Sequence, residues 1–285
     1  MSSHAILLLS CPDQPGIVAQ VSNFIHRNRG NIVDLDEHVD KAENVFFMRL
    51  EWELNGFLIP REALDAAVND LARPYSPLQC ALHFTDIRPR AAIFVSRDSH
   101  CLYDLLARHE GGELEMEIPL IVSNHEDLRR VADRFEIPYH VFAVNGRDKA
   151  QQEAAELRLL RQHRVDTVIL ARYMQILSSQ FVEEMPNQVI NIHHSFLPAF
   201  VGARPYHQAY DRGVKIVGAT SHYVTADLDE GPIIAQDVMA VTHQDTVADL
   251  VRKGKDLEKV VLARAVWAHV RRRVLTYRNK TVVFQ

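Results

Sequence analysis

The chain has 285 residues, 47% of them hydrophobic, enough to bury one large or two modest cores, and we expect two domains. Its 37 acidic and 32 basic residues are spread along the whole length and leave a formal net charge of -5, which argues against a surface built to neutralise phosphodiester backbones and against a nucleic-acid partner. The apolar run at residues 5–9 is too short for a signal h-region, no stretch approaches the ~20 apolar residues of a membrane helix, and Cys11, Cys80 and Cys101 form no CxxC pair; a cytoplasmic protein with reduced thiols and no membrane association is expected.

In chain order, residues 5–10 read as a buried strand and Cys11-Pro12-Asp13-Gln14-Pro15-Gly16 as a turn. Ile17, Val21, Phe24 and Ile25 recur at helical spacing, and Gly30 sits where a left-handed C-cap ends that helix. Residues 31–39 and 45–54 read as strands, Pro60 opens a helix carrying Leu64, Val68 and Leu71, and 79–84 closes as a strand. The resulting βαββαβ order is that of a ferredoxin-like unit. We place this domain at 1–85, a polar linker at 86–90, and a second domain at 91–285.

The second domain alternates strands (91–96, 118–123, 139–143, 165–170, 188–192) with helices (99–109, one capped by Asn124, and 147–163). This is the pattern of a doubly wound, Rossmann-like α/β fold, whose ligands sit outside the carboxyl ends of the strands. A strand pair at 215–224 and 232–241 and a long helix at 246–272 complete it. Arg271-Arg272-Arg273 reads as a solvated helix end complementing the dipole, in preference to a basic anchor.

There is no GxGxxG, GxxxxGK[ST], GxSxG or HExxH. Asn191-Ile192-His193-His194-Ser195-Phe196-Leu197-Pro198 puts polar side chains directly after a buried strand. Alternation sets Asn191, His193 and Ser195 on one face and turns His194 away. Ser221 to Pro232 forms an acidic turn between two apolar strands, with Asp229 within it. An amide and an imidazolium beside a carboxylate suit acyl transfer or amide hydrolysis, although such a trio alone is a weak signal.

These two segments resemble the folate-dependent formyltransferase family, whose hallmark is Asn-x-His-x-Ser followed by His-x-Val-Thr-x-x-Leu-Asp-x-Gly-Pro. Asn191, His193, Ser195, His222, Val224, Thr225, Leu228, Asp229, Gly231 and Pro232 meet every hallmark position. The resemblance implies Asn191, His193 and Asp229 as catalytic residues and a folate site formed by Met174, Ile176, Leu177, Ser195, His222 and Thr225, with plain core membership the competing account of Ile176 and Leu177. Family members that formylate glycinamide ribonucleotide carry a Ser-Gly-x-Gly-Ser-Asn loop for the acceptor's phosphate. Here the loop is Val95-Ser96-Arg97-Asp98-Ser99-His100-Cys101, and Asp98 would repel a phosphate there.

Pro12-Asp13-Gln14-Pro15-Gly16-Ile17-Val18 and Gly30-Asn31-Ile32 resemble the ACT family of small regulatory domains. An ACT-like domain ahead of a formyltransferase-type domain resembles the formyltetrahydrofolate deformylases, which implies 10-formyltetrahydrofolate as substrate, water as acceptor, and neither metal nor other cofactor. It also implies an amino-acid effector such as glycine or methionine near Gly16, Ile17 and Asn31. A homo-oligomer, dimer or tetramer, is expected because a sheet with helices on one face leaves the other free for a second copy. Three rivals remain: formyl transfer to an unphosphorylated amine; a metal hydrolase using His193, His222 and Asp229, which lack a recognised ligand spacing; and a regulatory module that only binds folate.

Overall fold

The computed structural model describes residues 3–143, 149–198 and 205–285, and the chain divides into two compact units. The first contains β1 (His4–Pro12), α1 (Ile17–Arg27), β2 (Ile32–Asp40), β3 (Val45–Glu53), α2 (Arg61–Ala72) and β4 (Gln79–Phe84), the βαββαβ order expected. The strands form an antiparallel sheet in the order β2-β3-β1-β4. Leu7, Leu9, Met48, Leu50 and Trp52 face Ile17, Val21 and Ile25 of α1 and Leu64 and Val68 of α2.

The opposite face of this sheet is covered as well. Leu8, Val45 and Phe47 pack against Leu275 and Phe284, from a C-terminal hairpin of β12 (Val274–Tyr277) and β13 (Lys280–Val283). Arg49, 2% exposed on β3, donates to Asp34 at 2.6 Å, to Glu51 at 2.7 Å and to the carbonyl of Arg272 at 3.1 Å. Burial on both faces explains why β1 is apolar at every position from Ala5 to Leu9. Three expectations are corrected. The residues from Ala91 onward are not all in one domain, since Arg271–Tyr277 and Val282–Gln285 belong to the first unit. The face held to be free for a second copy is occupied by the chain's own hairpin. Arg273, read as a solvated helix end, pairs with Asp34 at 3.3 Å.

The second unit contains β5 (Ala91–Val95), α3 (His100–Glu110), β6 (Ile121–Ser123), α4 (Arg129–Arg134), β7 (Tyr139–Val141), α5 (Lys149–Gln162), β8 (Thr167–Leu170), α6 (Ser179–Glu183), β9 (Val189–His193), α7 (Pro205–Arg212), β10 (Ile216–Tyr223), β11 (Ile233–Ala240) and α8 (Val247–Val270). Its seven-stranded sheet runs β11-β10-β9-β8-β5-β6-β7. The strands from β9 to β7 are parallel, and β10 and β11 add to the β9 edge antiparallel. The doubly wound expectation thus holds for the parallel part, and the sheet as a whole is mixed. Registers Phe94↔Leu170 and Leu170↔Asn191 bring the carboxyl ends of β5, β8 and β9 side by side.

Local chemistry departs from expectation at two points. The left-handed residue ending α1 is Arg29 (φ 61); Gly30 is required because a Cβ there would lie 2.6 Å from Ile25 and 2.8 Å from Phe57. Asn124 caps no helix, because its Oδ1 accepts the Ser96 hydroxyl at 2.7 Å and α4 starts only at Arg129. The expected start of α5 at Arg147 lies outside the described residues. The short helices α6 and α7 and the C-terminal hairpin were not foreseen.

Candidate active site

β9 is a five-residue central strand, and its pleat sends Asn191 and His193 to one side. Antiparallel β10 sets His222 opposite Asn191 and Thr220 opposite His193. The loop between β10 and β11 then returns Asp229 to the same place. That loop is drawn tight: the Tyr223 amide donates to the Pro232 carbonyl at 2.9 Å, and the Thr225 hydroxyl donates to the Asp227 carbonyl at 3.1 Å. A Cβ on Gly231 would stand 1.7 Å from the Tyr223 oxygen, so only glycine fits. Asp229 itself is left-handed, at φ 57, a conformation that is uncommon outside glycine and concentrates at functional sites.

His193 Nδ1 lies 3.2 Å from Asp229 Oδ2, and His222 Nε2 lies 3.6 Å from Asp229 Oδ1. His222 Nδ1 is 2.9 Å from the Tyr223 carbonyl, which can only accept, so Nδ1 carries a hydrogen. His222 Nε2 stands 3.3 Å from Asn191 Nδ2. Hydrogen bonds from His193 and His222 hold the Asp229 carboxyl well below the usual carboxylate range, so it is an anion at neutral pH. One polar atom is left over: His193 Nε2 is buried and has no hydrogen-bond partner among the described residues.

The model of the formyl transferase family matches residues 89–266. Formyltetrahydrofolate deformylase of Synechocystis sp. is 55% identical over 98% of both chains, and that of Bacillus subtilis is 47% identical over 98% of this chain and 93% of its own. The crystal structure of a formyltetrahydrofolate deformylase from Pseudomonas syringae pv. tomato superposes with a TM-score of 0.97 at 46% identity, covering 100% of this chain and 95% of the other. The chain belongs to the formyltetrahydrofolate deformylase family.

The other residues expected to act in this member of the deformylase family are placed unevenly. Met174 and Ile176 are 57% and 61% exposed in the loop after β8, whereas Leu177 packs partly into the core beneath it. Ser195 is buried, and its carbonyl accepts the Thr220 hydroxyl at 2.9 Å. Thr225 spends its hydroxyl on the turn, and His222 joins the cluster around Asp229. In the first unit Gly16 is left-handed (φ 94) at the start of α1 with open space around it. The Ile17 side chain is buried in the core, and Asn31 Nδ2 donates to Glu53 at 3.2 Å.

Arg172 and Glu258 were not anticipated, and His194 was misplaced. β9 ends at His193, so alternation lapses there. The His194 ring lies flat against His193, with centroids 5.1 Å apart and planes at 22°. Arg172 NH1 donates to His194 Nδ1 at 2.7 Å. Burial, and then the Arg172 charge, push the His194 imidazole down to about 4. Glu258, 1% exposed, accepts from His100 Nε2 and Tyr206 Oη, both at 2.8 Å. A glutamate among the apolar positions of α8 was the available signal.

Among the described residues, His100, Cys101 and Glu258 are the group with ligand atoms mutually within 4.8 Å. Arg172 Nε stands 3.5 Å from Glu258, which disfavours a second cation. His193, His222 and Asp229 do not form such a group. Among the described residues no helix is long and apolar enough to cross a membrane.

Proposed function

We propose that this chain hydrolyses 10-formyltetrahydrofolate to formate and tetrahydrofolate, with Asn191, His193 and Asp229 as the catalytic residues. The observation that carries the reading is the His193 ring, tied to Asp229 through Nδ1 while Nε2 stays buried with no hydrogen-bond partner among the described residues. An N–H fixed in this way and shielded from water can donate to a developing oxyanion without reorganising. Water adds to the formyl carbon, and the tetrahedral oxyanion is met by protonated His193 Nε2 and by an Asn191 Nδ2 hydrogen. Anionic Asp229 stabilises the imidazolium and assists transfer of the water proton toward the folate nitrogen. The C–N bond breaks, the nitrogen leaves protonated, and formate is released. No step calls on a metal.

Exposed Met174 and Ile176, with Leu177 beneath them, form the folate wall on the β8 side; Ser195, Thr225 and His222 support the opposite wall. The first unit serves as an ACT-like, ferredoxin-like regulatory domain, binding a small amino acid through backbone groups at Gly16 and Ile17 and near Asn31. We place the protein in the cytoplasm as a homo-oligomer. The outer edge of β2, which pairs with no strand among the described residues, supports the oligomer, now that the sheet face is covered.

The test is a product assay on purified protein with water as the sole acceptor. Formate and tetrahydrofolate should appear in equal amounts. If turnover requires an added amine, and the formyl group is recovered on it, the chain is a transferase and the hydrolytic reading fails.

A further inference from the structure

The loops after β5, β8 and β9 meet at the carboxyl edge of the sheet, beside the catalytic histidine, and supply Asp98, Arg172 and His194. Arg172 is left-handed (φ 64), and its guanidinium has three anchors. NH1 lies 2.7 Å from His194 Nδ1, NH2 3.4 Å from Asp98, and Nε 3.5 Å from Glu258. Asp98 is held in turn by Lys255 at 3.1 Å. Guanidinium is always charged and only donates, so His194 Nδ1 must present its lone pair. That fixes the neutral tautomer with hydrogen on Nε2.

His194 is stacked on His193. Two protonated imidazoles face to face would repel, so the stack has room for one charge. The groups facing His194 from packed elements are Arg172 in the loop after β8, His193 on β9, Asp229 before β11, Glu258 on α8, and the Tyr206 ring of α7 at 6.1 Å. Asp229 accepts its hydrogen bond from His193, and the hydrogen bond made to His194 comes from the cation Arg172.

We propose that Arg172, anchored by buried Glu258, is a positioning residue for the hydrolysis: it holds His194 neutral and flat against His193, so that His193 alone of the pair takes the proton offered to the formyl oxygen. This rests on the role of His193 given above.

Two measurements test it on the full chain. Nitrogen-15 shifts of the histidine rings should show His194 in the Nε2–H neutral tautomer from pH 5 to 8 in the wild type, and Arg172→Met should make that ring titrate within the range. Kinetically, Arg172→Met should lower kcat about tenfold or more and move the acid limb of its pH profile, with KM for the folate changing less than about twofold. In a His194→Phe background, which keeps a flat ring and removes the titrating group, the same substitution should cost no more than about threefold against its own parent. Arg172→Met/Glu258→Gln keeps the buried charges balanced should Arg172→Met alone fail to fold. Equal losses in both backgrounds, or a His194 ring carrying hydrogen on Nδ1, overturn the inference. If His193→Gln keeps wild-type turnover, the reading of the site falls instead.

Discussion

Asp229 reaches His193 Nδ1 at 3.2 Å from a backbone at φ 57, while the far nitrogen of the same ring, Nε2, is buried with no hydrogen-bond partner among the described residues. One side of the imidazole is fixed, and in the proposed mechanism the other meets the substrate. His193→Gln and Asp229→Asn should each lower kcat about 10²-fold or more, the scale of an oxyanion donor or a positioned acid–base group. The double variant should lose little beyond the worse single one, because the two residues act as a unit. Circular dichroism should match wild type. Formate release within about threefold of wild type in either single variant would sink the assignment.

The same pair sets a pH dependence. The folded carboxyl of Asp229 is depressed, so its contribution to stability is fully present above the unfolded aspartate value of about 3.9 and is lost as pH falls through the folded value. Urea midpoints measured from pH 5 to 2 should fall less steeply in Asp229→Asn than in wild type. Identical slopes would mean that the carboxylate is not held by the histidines.

Glu156 predicts the opposite sign. Its side chain is fully buried on α5, and burial pushes its carboxyl up to about 7. The folded state therefore binds the extra proton, and stability is lost as pH rises from the unfolded value of about 4.3 through the folded one. Glu156→Gln should be more stable than wild type at pH 8, by about 1–3 kcal/mol, and the gain should shrink at pH 5. A gain of equal size at both pH values would point to packing instead.

Gly231→Ala should damage stability and activity together. The new methyl would stand 1.7 Å from the Tyr223 oxygen, and relief requires opening the loop that carries Asp229. A loss of at least about 3 kcal/mol is expected, the upper range for overpacking, with formate release reduced at least as far as in Asp229→Asn. A variant with normal melting temperature would show that the loop is looser than drawn.

Leu275→Ala and Phe284→Ala should each destabilise the first unit by about 2–5 kcal/mol, since both side chains are buried against Leu8 and Phe47. Hydrogen exchange in β1 and β3 should rise. Unchanged protection there would dissociate the hairpin from the sheet.

What the sequence disclosed depended on whether the signal was local. Apolar runs gave β1, β5 and β9, alternation gave β3, and helical spacing gave α1, α2 and α8, because each pattern repeats within a few residues. The four-residue strands of the hairpin carry too little alternation to stand out after the basic run at Arg271, and what defines them is packing on residues near the other chain end. In the site, Asn191, His193 and Asp229 stood out through two compact motifs. Arg172 and Glu258 lie far apart in the chain and meet only in space. The one lapse in register, at His194, came from extending strand alternation a residue past the end of β9.

The covering of the first sheet by the last residues has a consequence for biosynthesis. A ribosome releases β1 and β3 long before it releases Leu275 and Phe284. Through the whole synthesis of the second unit, Leu8, Val45 and Phe47 lack their apolar cover, and the sheet presents a sticky face to other nascent chains. Chains stalled or cleaved before Arg271 keep that face permanently bare, which makes them natural clients for chaperones and proteases.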